Sequence, residues 1–457
     1  MNENTASDAT ELALHAEKNR GKDWGDDWGD EGYLDSLLDP QTHIPLDYDP
    51  STGYTPDQLR AIRHYLHRHP EPGFHETRTT AYLARLMEQI GIDIVPTPQL
   101  ETGLIARIHG EGTVNGGPGP RIALRADIDG LPVTERADVP CASEEDGFMH
   151  ACGHDLHMTY LIGAASRLAT PASRRNLAGT VDVLFQPAEE TSFGALRVIS
   201  NAIDTGDADR DVRGTASLPK LSAIIGAHNM PDYKPDEIAV GKEPMMACSI
   251  RFGVTLHAQG SHGARPESGT GPIEAMATMI TSLQTIVSRN ISPLHPAVVS
   301  VTSVHAGSVW NVIPPEAKFI GTARVFSDDD AELVRKRFFT IVQGVAQAYG
   351  ITADIDWPHA QPVMQSDAAL GLAVADDVRH GGYAELAPIV QQMPGEDFAE
   401  FGSRTRVVFA FIGSNGRDDR HYIHSPRYVG LDASIPTGVA FYEHAARRVL
   451  SEIAQGR

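Results

Sequence analysis

From Thr55 onward the chain alternates short apolar runs with longer amphipathic stretches. TPDQLRAIRHYLHRHP sets apolar residues at helical spacing behind a Thr-Pro start and predicts a helix. TRTTAYLARLMEQIG predicts a second one. LIARIHG and RIALRADIDG predict strands joined by EGTVNGGPGP, which reads as a hairpin loop. It is not a phosphate cradle, because no helix or Lys-Ser/Thr pair follows its glycines. A helix opens near His154 and runs through LHMTYLIGAASRL; TVDVLFQPAEE then reads as a buried strand ending at Pro187, and LSAIIGAHNMP as another ending near His228. Short apolar strands alternating with helices predict an α/β fold, a mainly parallel sheet with helices on both faces.

Around Cys248 the rhythm changes. SIRFGVTLHAQG reads as a strand, GPIEAMATMITSLQTIVSR as a helix, AVVSVTSVHAG and AKFIGTARVFS as strands, DDAELVRKRFFTIVQGVAQAYG as a helix and ITADIDW as a last strand. That βαββαβ order predicts a ferredoxin-like α+β domain at residues 245–360, inserted into a first domain at 51–244 and 361–457. DAALGLAVADDVRHGGY and RVVFAFIGS read as the return to the first sheet. Residues 1–50 are polar, acidic and aperiodic, with Trp24, Trp28 and Tyr33 interspersed, and read as a solvated tail or as a segment docking its aromatics.

The 457 residues exceed one ordinary core, which agrees with two domains. The formal net charge of −22 argues against nucleic acid and anionic membranes as partners, since both are negatively charged. No apolar stretch is long enough to span a bilayer, and the first residues lack a secretory pattern. Three cysteines, Cys141, Cys152 and Cys248, cannot build a disulfide framework, so a reducing, cytoplasmic location is expected.

One of those few thiols sits in HACGHDLH (residues 150–157), two positions from His150 and two from His154. In open α/β sheets ligands bind beyond the carboxyl ends of the strands, and the polar clusters fall there. One strand runs into Asp127 and Asp129, another into Glu189 and Glu190, a third into His228, and a fourth precedes a loop holding His421 and His424. Each has a bland reading: a buried cysteine, a solvated acid pair, a core histidine, a turn cap. Together they form a donor set that zinc accepts. Cys152, His154, Glu190, His228 and His424 exceed the three protein ligands of a usual catalytic zinc, which favours two metals. Glu189, beside the ligands, is placed to move a proton.

The ordered strings LRADIDGLPVTE, HACGHD, FQPAEE, GAHNMP, GSHGARP, WNVIPP, GTARVFS, GEDFAEF and HSP resemble the M20 metallopeptidase superfamily, in the branch of amidohydrolases acting on N-acyl amino acids. The resemblance covers residues from about 55 to 455. It implies two divalent ions per subunit, zinc or manganese, held by Cys152, His154, Glu190, His228 and His424, with Glu189 as general base. It further implies that the inserted domain is a lid through which a homodimer forms. His262 would polarise the scissile carbonyl, and Asn311 and Arg324 would hold the substrate carboxylate, with a strand ion pair as the bland alternative for Arg324. Many members carry His-x-Asp on the first strand with the His as ligand. Here Arg125-Ala126-Asp127 stands there, leaving Asp127 to orient a neighbouring ligand.

The expected reaction is hydrolysis of a small amide. The same resemblance leaves a dipeptidase or aminopeptidase open, and a non-catalytic metal-binding homologue. A cysteine-nucleophile hydrolase built on Cys152 is a further rival. A nicotinamide dehydrogenase is excluded by the lack of G-x-G-x-x-G after the first strand.

Overall fold

The computed structural model describes residues 30–114, 117–204, 206, 220–415 and 421–457. Runs of Ile, Val, Leu and Ala form β1 (Asp93–Val95), β2 (Leu104–His109), β3 (Arg121–Asp127), β4 (Thr180–Gln186), β5 (Leu221–Met230) and β6 (Glu237–Val240). The chain then passes through a second unit with β7 (Cys248–His257), β8 (Ala297–Ala306), β9 (Glu316–Val325) and β10 (Thr352–Asp356). It returns for β11 (Glu385–Leu386) and β12 (Arg406–Gly413).

The first unit holds an eight-stranded sheet in the order β1-β2-β4-β3-β5-β12-β6-β11. It is mixed, with parallel pairings in the majority, as expected: four parallel and three antiparallel. The four central strands, β4, β3, β5 and β12, are mutually parallel. β2 runs antiparallel to β4, β1 to β2, and β6 to β12. The short connection from β1 to β2 has no room for a crossover helix, so that pair is a hairpin. β3 is buried along its whole length and β4 and β12 beyond their first residue, as strands covered on both faces must be. The covering helices include α2 (Pro56–Arg68), α3 (Thr77–Ile90), α4 (His154–Leu168), α7 (Ala368–Gly381) and α8 (Ile435–Ala454). α2 starts as its sequence dictates, with a Thr55–Gln58 capping box and Pro at its first position.

The second unit comprises residues 244–364 and 390–399. Its sheet is antiparallel in the order β8-β9-β7-β10, with α5 (Pro272–Arg289) and α6 (Asp328–Tyr349) over one apolar face, the ferredoxin-like arrangement. Its second piece differs from the expectation that everything after residue 360 returns to the first domain. Backbone pairing explains the difference: Gln392 N–H donates to the Met245 carbonyl at 2.8 Å, and Ala247 N–H to the Gln392 carbonyl at 3.0 Å.

Residues 1–29, including Trp24 and Trp28, lie outside the described residues. Residues 30–50 are not a solvated tail. The short helix α1 (Glu31–Ser36) is capped by Asp30, and Leu34 and Leu38 are buried against Ala61 of α2. Leucines four positions apart give one turn of helix an apolar side, which the acidic composition conceals. Arg68 pairs with Glu31 and Asp35, and Tyr33 hydroxyl reaches Asp57 Oδ2 at 3.3 Å. Among the described residues no helix is long and apolar enough to cross a membrane.

Candidate metal centre

The carboxyl ends of the parallel strands carry the polar residues. β3 runs into Asp127 and Asp129, β4 into a turn bearing Glu189 and Glu190, and β5 contains His228. His154 opens α4 behind Gly153, whose φ of +86° is a left-handed conformation. A Cβ there would overlap the Asn229 side-chain amide, so only glycine lets the HACGHD loop lie flush on β5.

Donor atoms of Cys152, His154 and His228 lie within 4.8 Å of one another, as do those of Cys152, Glu190 and His424, and those of His154, Glu189 and Glu190. The Cys152 sulfur stands 3.3 Å from His228 Nε2, and His424 Nε2 stands 3.2 Å from Glu190 Oε1. His154 Nε2 is 3.9 Å from Glu190 Oε1. The five expected ligands and Glu189 therefore converge.

The imidazoles are oriented from behind. His154 Nδ1 donates to the Asp129 carbonyl at 2.8 Å and His228 Nδ1 to the Asn229 carbonyl at 2.5 Å, so each Nε2 lone pair faces the cluster. His154 Nε2 and Glu190 Oε1 are buried and have no hydrogen-bond partner. Buried polar atoms are rarely left so, and a cation fits the pair. Without a metal, the electrostatics keep protons on Cys152 and His154 that a bound ion would displace. Burial pushes the Cys152 thiol far up, and Glu190, Glu189 and Asp127 push it further. Burial opposes charge on His154 as well, yet Asp127 and Asp129 hold it up at about 10. Burial alone would raise Glu190, but His424 and His154 bring it below its usual value. A donor set of thiol, imidazole and carboxylate with lone pairs facing inward suits divalent metal ions.

Asp127 sits one layer further in. Its Oδ1 is 2.6 Å from His157 Nδ1 and its Oδ2 accepts from Arg125 at 2.8 Å, 3.7 Å from His154 Nε2. His157 Nε2 in turn accepts the Asn229 backbone N–H at 2.7 Å, and the Asn229 amide donates to the Cys152 carbonyl at 2.6 Å. Tyr428 hydroxyl closes the chain onto Asn229. Sequence reading passed over His157, Asn229 and Tyr428. The signal for His157 was present: it follows His154 by three residues, on the same side of α4.

Asp129 does more than cap a turn. Its Oδ1 accepts the Glu189 N–H and its Oδ2 the Glu190 N–H, both at 3.1 Å, while its carbonyl holds His154. Ala188 before the acid pair and Ser192 after it are left-handed, with φ of 56° and 65°. Such residues cost on the order of 1–2 kcal/mol each and persist where neighbours hold them.

The remaining expected residues belong to the second unit. His262 lies in a two-residue ribbon, Ser261–His262 against Val312–Ile313, and Gly263 N–H donates to the Asn311 carbonyl at 2.8 Å, so His262 and Asn311 are neighbours. His262 is exposed. Arg324 lies on β9 opposite Ser249 and Val298, half-buried. The strand ion pair considered for it is not there: among the described residues no carboxylate pairs with its guanidinium.

Residues 123–448 match the model of peptidase family M20/M25/M40. The chain belongs to this family. It is 39% identical over 397 residues to an N-acetylcysteine deacetylase of Bacillus subtilis, covering 87% of this chain and 98% of that protein. It is 31% identical over 399 residues to a hippurate hydrolase of Campylobacter jejuni, covering 86% and 97%. Among solved structures it resembles the Bacillus subtilis YXEP protein, described as a dinuclear metal binding peptidase from the M20 family. That match has a TM-score of 0.73 at 34% identity and covers 87% of this chain and 98% of that one.

Proposed function

We propose that this family member hydrolyses the amide bond of an N-acyl amino acid, with two divalent ions, zinc or manganese, held by Cys152, His154, Glu190, His228 and His424. The observation that carries the reading is the cluster of five donors with buried, unpartnered atoms at His154 and Glu190, next to a buried Glu189 that belongs to the same group. Two relatives, named an N-acetylcysteine deacetylase and a hippurate hydrolase, support the substrate class.

When bound, the ions supply Lewis acidity, lowering the pKa of water to about 7 and polarising the amide carbonyl. Glu189 takes a proton from water as its oxygen joins the acyl carbon. The C–N bond then breaks, and Glu189 passes that proton to the leaving nitrogen, so that a carboxylic acid and an amine are released. His262 is assigned to hydrogen-bonding the oxyanion, and Asn311 and Arg324 to the substrate carboxylate. A half-buried guanidinium without a carboxylate partner among the described residues is suited to that role. Asp127 orients rather than reacts, through His157 and Asn229. The second unit is assigned as a lid and as the homodimer contact, and the location as cytoplasmic.

The cysteine-nucleophile reading has a histidine within reach, His228 Nε2 at 3.3 Å from the Cys152 sulfur, but the electrostatics of the pair run against it. A nucleophilic thiol needs a lowered pKa and a basic histidine beside it. Burial drives the Cys152 thiol well above its usual value and the adjacent His228 well below. A panel crossing acetyl, longer acyl and benzoyl groups with several amino acids, run with and without chelator, tests the proposal. Chelator-sensitive release of free amino acid is expected; chelator-resistant release, or none from any member, would refute it.

A further inference from the structure

Three consecutive amides of the turn after β4 point at buried carboxylates. Asp129 accepts those of Glu189 and Glu190. The third, the Ala188 N–H, donates at 2.7 Å to Glu76 Oε1, a residue 112 positions earlier in the chain. The other oxygen, Glu76 Oε2, accepts from Thr102 Oγ1 at 2.8 Å. Glu76 is 0% exposed and stands at the N-terminus of α3, where the helix dipole favours negative charge. The loop that carries it packs closely on the turn: a Cβ on Gly73 would fall 2.9 Å from Thr191 and 3.1 Å from Ala188. The same loop reaches the other side of the site, where Gly130 N–H, next to Asp129, donates to the Glu71 carbonyl at 2.7 Å.

Burying an acid here is costly. Burial, with Asp129 nearby, pushes the Glu76 carboxyl up to about 7 against the pull of its hydrogen bonds. An apolar side chain would fill the space at lower cost but would leave the Ala188 N–H without an acceptor inside a left-handed turn.

We propose that Glu76 is a positioning residue for the hydrolytic pair: its carboxyl group grips the Ala188 amide and so sets the direction in which Glu189 and Glu190 leave the turn. The proposal rests on the reading of Glu189 as proton carrier and Glu190 as ligand. The grip requires reach and an acceptor atom, not charge. Gln at this position keeps both, with its carbonyl on Ala188 and its amide on the Thr102 hydroxyl. Asp keeps the charge and falls one methylene short.

The test compares E76Q, E76D and E76A in the full chain by two readouts. One is kcat and KM on an N-acyl amino acid. The other, independent of turnover, is amide hydrogen exchange of the peptide containing Ala188 in metal-free protein. In E76A and E76D, kcat should fall about 10- to 100-fold with KM within about 2-fold, and exchange at Ala188 should quicken at least about tenfold. E76Q should stay within about 3-fold of the parent in both. A folded E76D with parental kcat, or unchanged exchange at Ala188 in E76D, would overturn the proposal. If E76A does not fold, the Asp and Gln variants carry the comparison. If the parent hydrolyses no N-acyl amino acid, the functional reading falls, and exchange alone decides the grip: faster in E76D upholds it, unchanged overturns it.

Discussion

Two buried polar clusters meet at adjacent residues of α4. His154 faces Glu190, Cys152 and His228, and their ligand atoms turn toward one another. Asp155 faces cations: its Oδ2 accepts from Arg63 Nε at 2.8 Å and lies 2.9 Å from His67 Nδ1. Arg63 continues to Asp432 at 3.1 Å, and Asp432 lies 2.8 Å from His64 Nε2. The Asp155 cluster is sealed from water, the other opens to solvent at His424, and the two compensate charge by different means. Around Asp155 the protein supplies its own positive groups, and each carboxylate is held below its usual range by them against the effect of burial. Around His154 histidines supply part of the positive charge, lowering Glu190, and the proposed function assigns the rest to bound metal ions.

The comparison breaks most visibly with one substitution in each cluster. E189Q should lower kcat by about 10²–10⁴-fold while metal content stays at the parental level, because the proton carrier goes and the ligands remain. Parental turnover in E189Q would remove that role. R63A should do the reverse. It leaves Asp155 and Asp432 buried without their guanidinium and should cost about 3–5 kcal/mol in denaturant unfolding, with metal stoichiometry unchanged in the folded fraction. Loss of bound metal from folded R63A would show that the two clusters are one.

A smaller effect separates the clusters by pH. Burial opposes charge on His67, but Asp155 and Glu135 raise it to about 9. A raised folded-state value means that the contribution is whole below the unfolded value of about 6.5 and is lost as pH climbs through about 9. Stability should therefore decline across that window by on the order of 1–3 kcal/mol. H67Q should be less stable at pH 6 and should lack the decline; an unaltered slope in H67Q would place its source elsewhere.

The convergence of the five proposed ligands and Glu189 was legible because most of them sit near a strand end or helix start, the places where a parallel sheet collects polar groups; His424 lies in the loop after β12. Most elements were legible because one side of each is apolar. α8 was not: Thr437 through Tyr442 are buried without interruption, which erases the helical period. β6, four residues long, is too short to show alternation. The return of residues 390–399 to the second unit depends on backbone pairing with Met245 and Ala247, which side-chain pattern does not record. Glu76 and Asn229 were hidden for a related reason. Each acts through a backbone amide or carbonyl far away in sequence, and an isolated acid or amide in a loop carries no mark of its partner.

The central claim is that the inward-facing donors exist to hold two cations. Anomalous X-ray scattering from crystals grown with zinc or manganese tests it most directly. The account predicts two peaks, with Cys152, His154, Glu190, His228 and His424 all within coordination distance, about 2.0–2.3 Å for zinc. No peak there, or a single ion held by Asp127 and His157 instead, would contradict it.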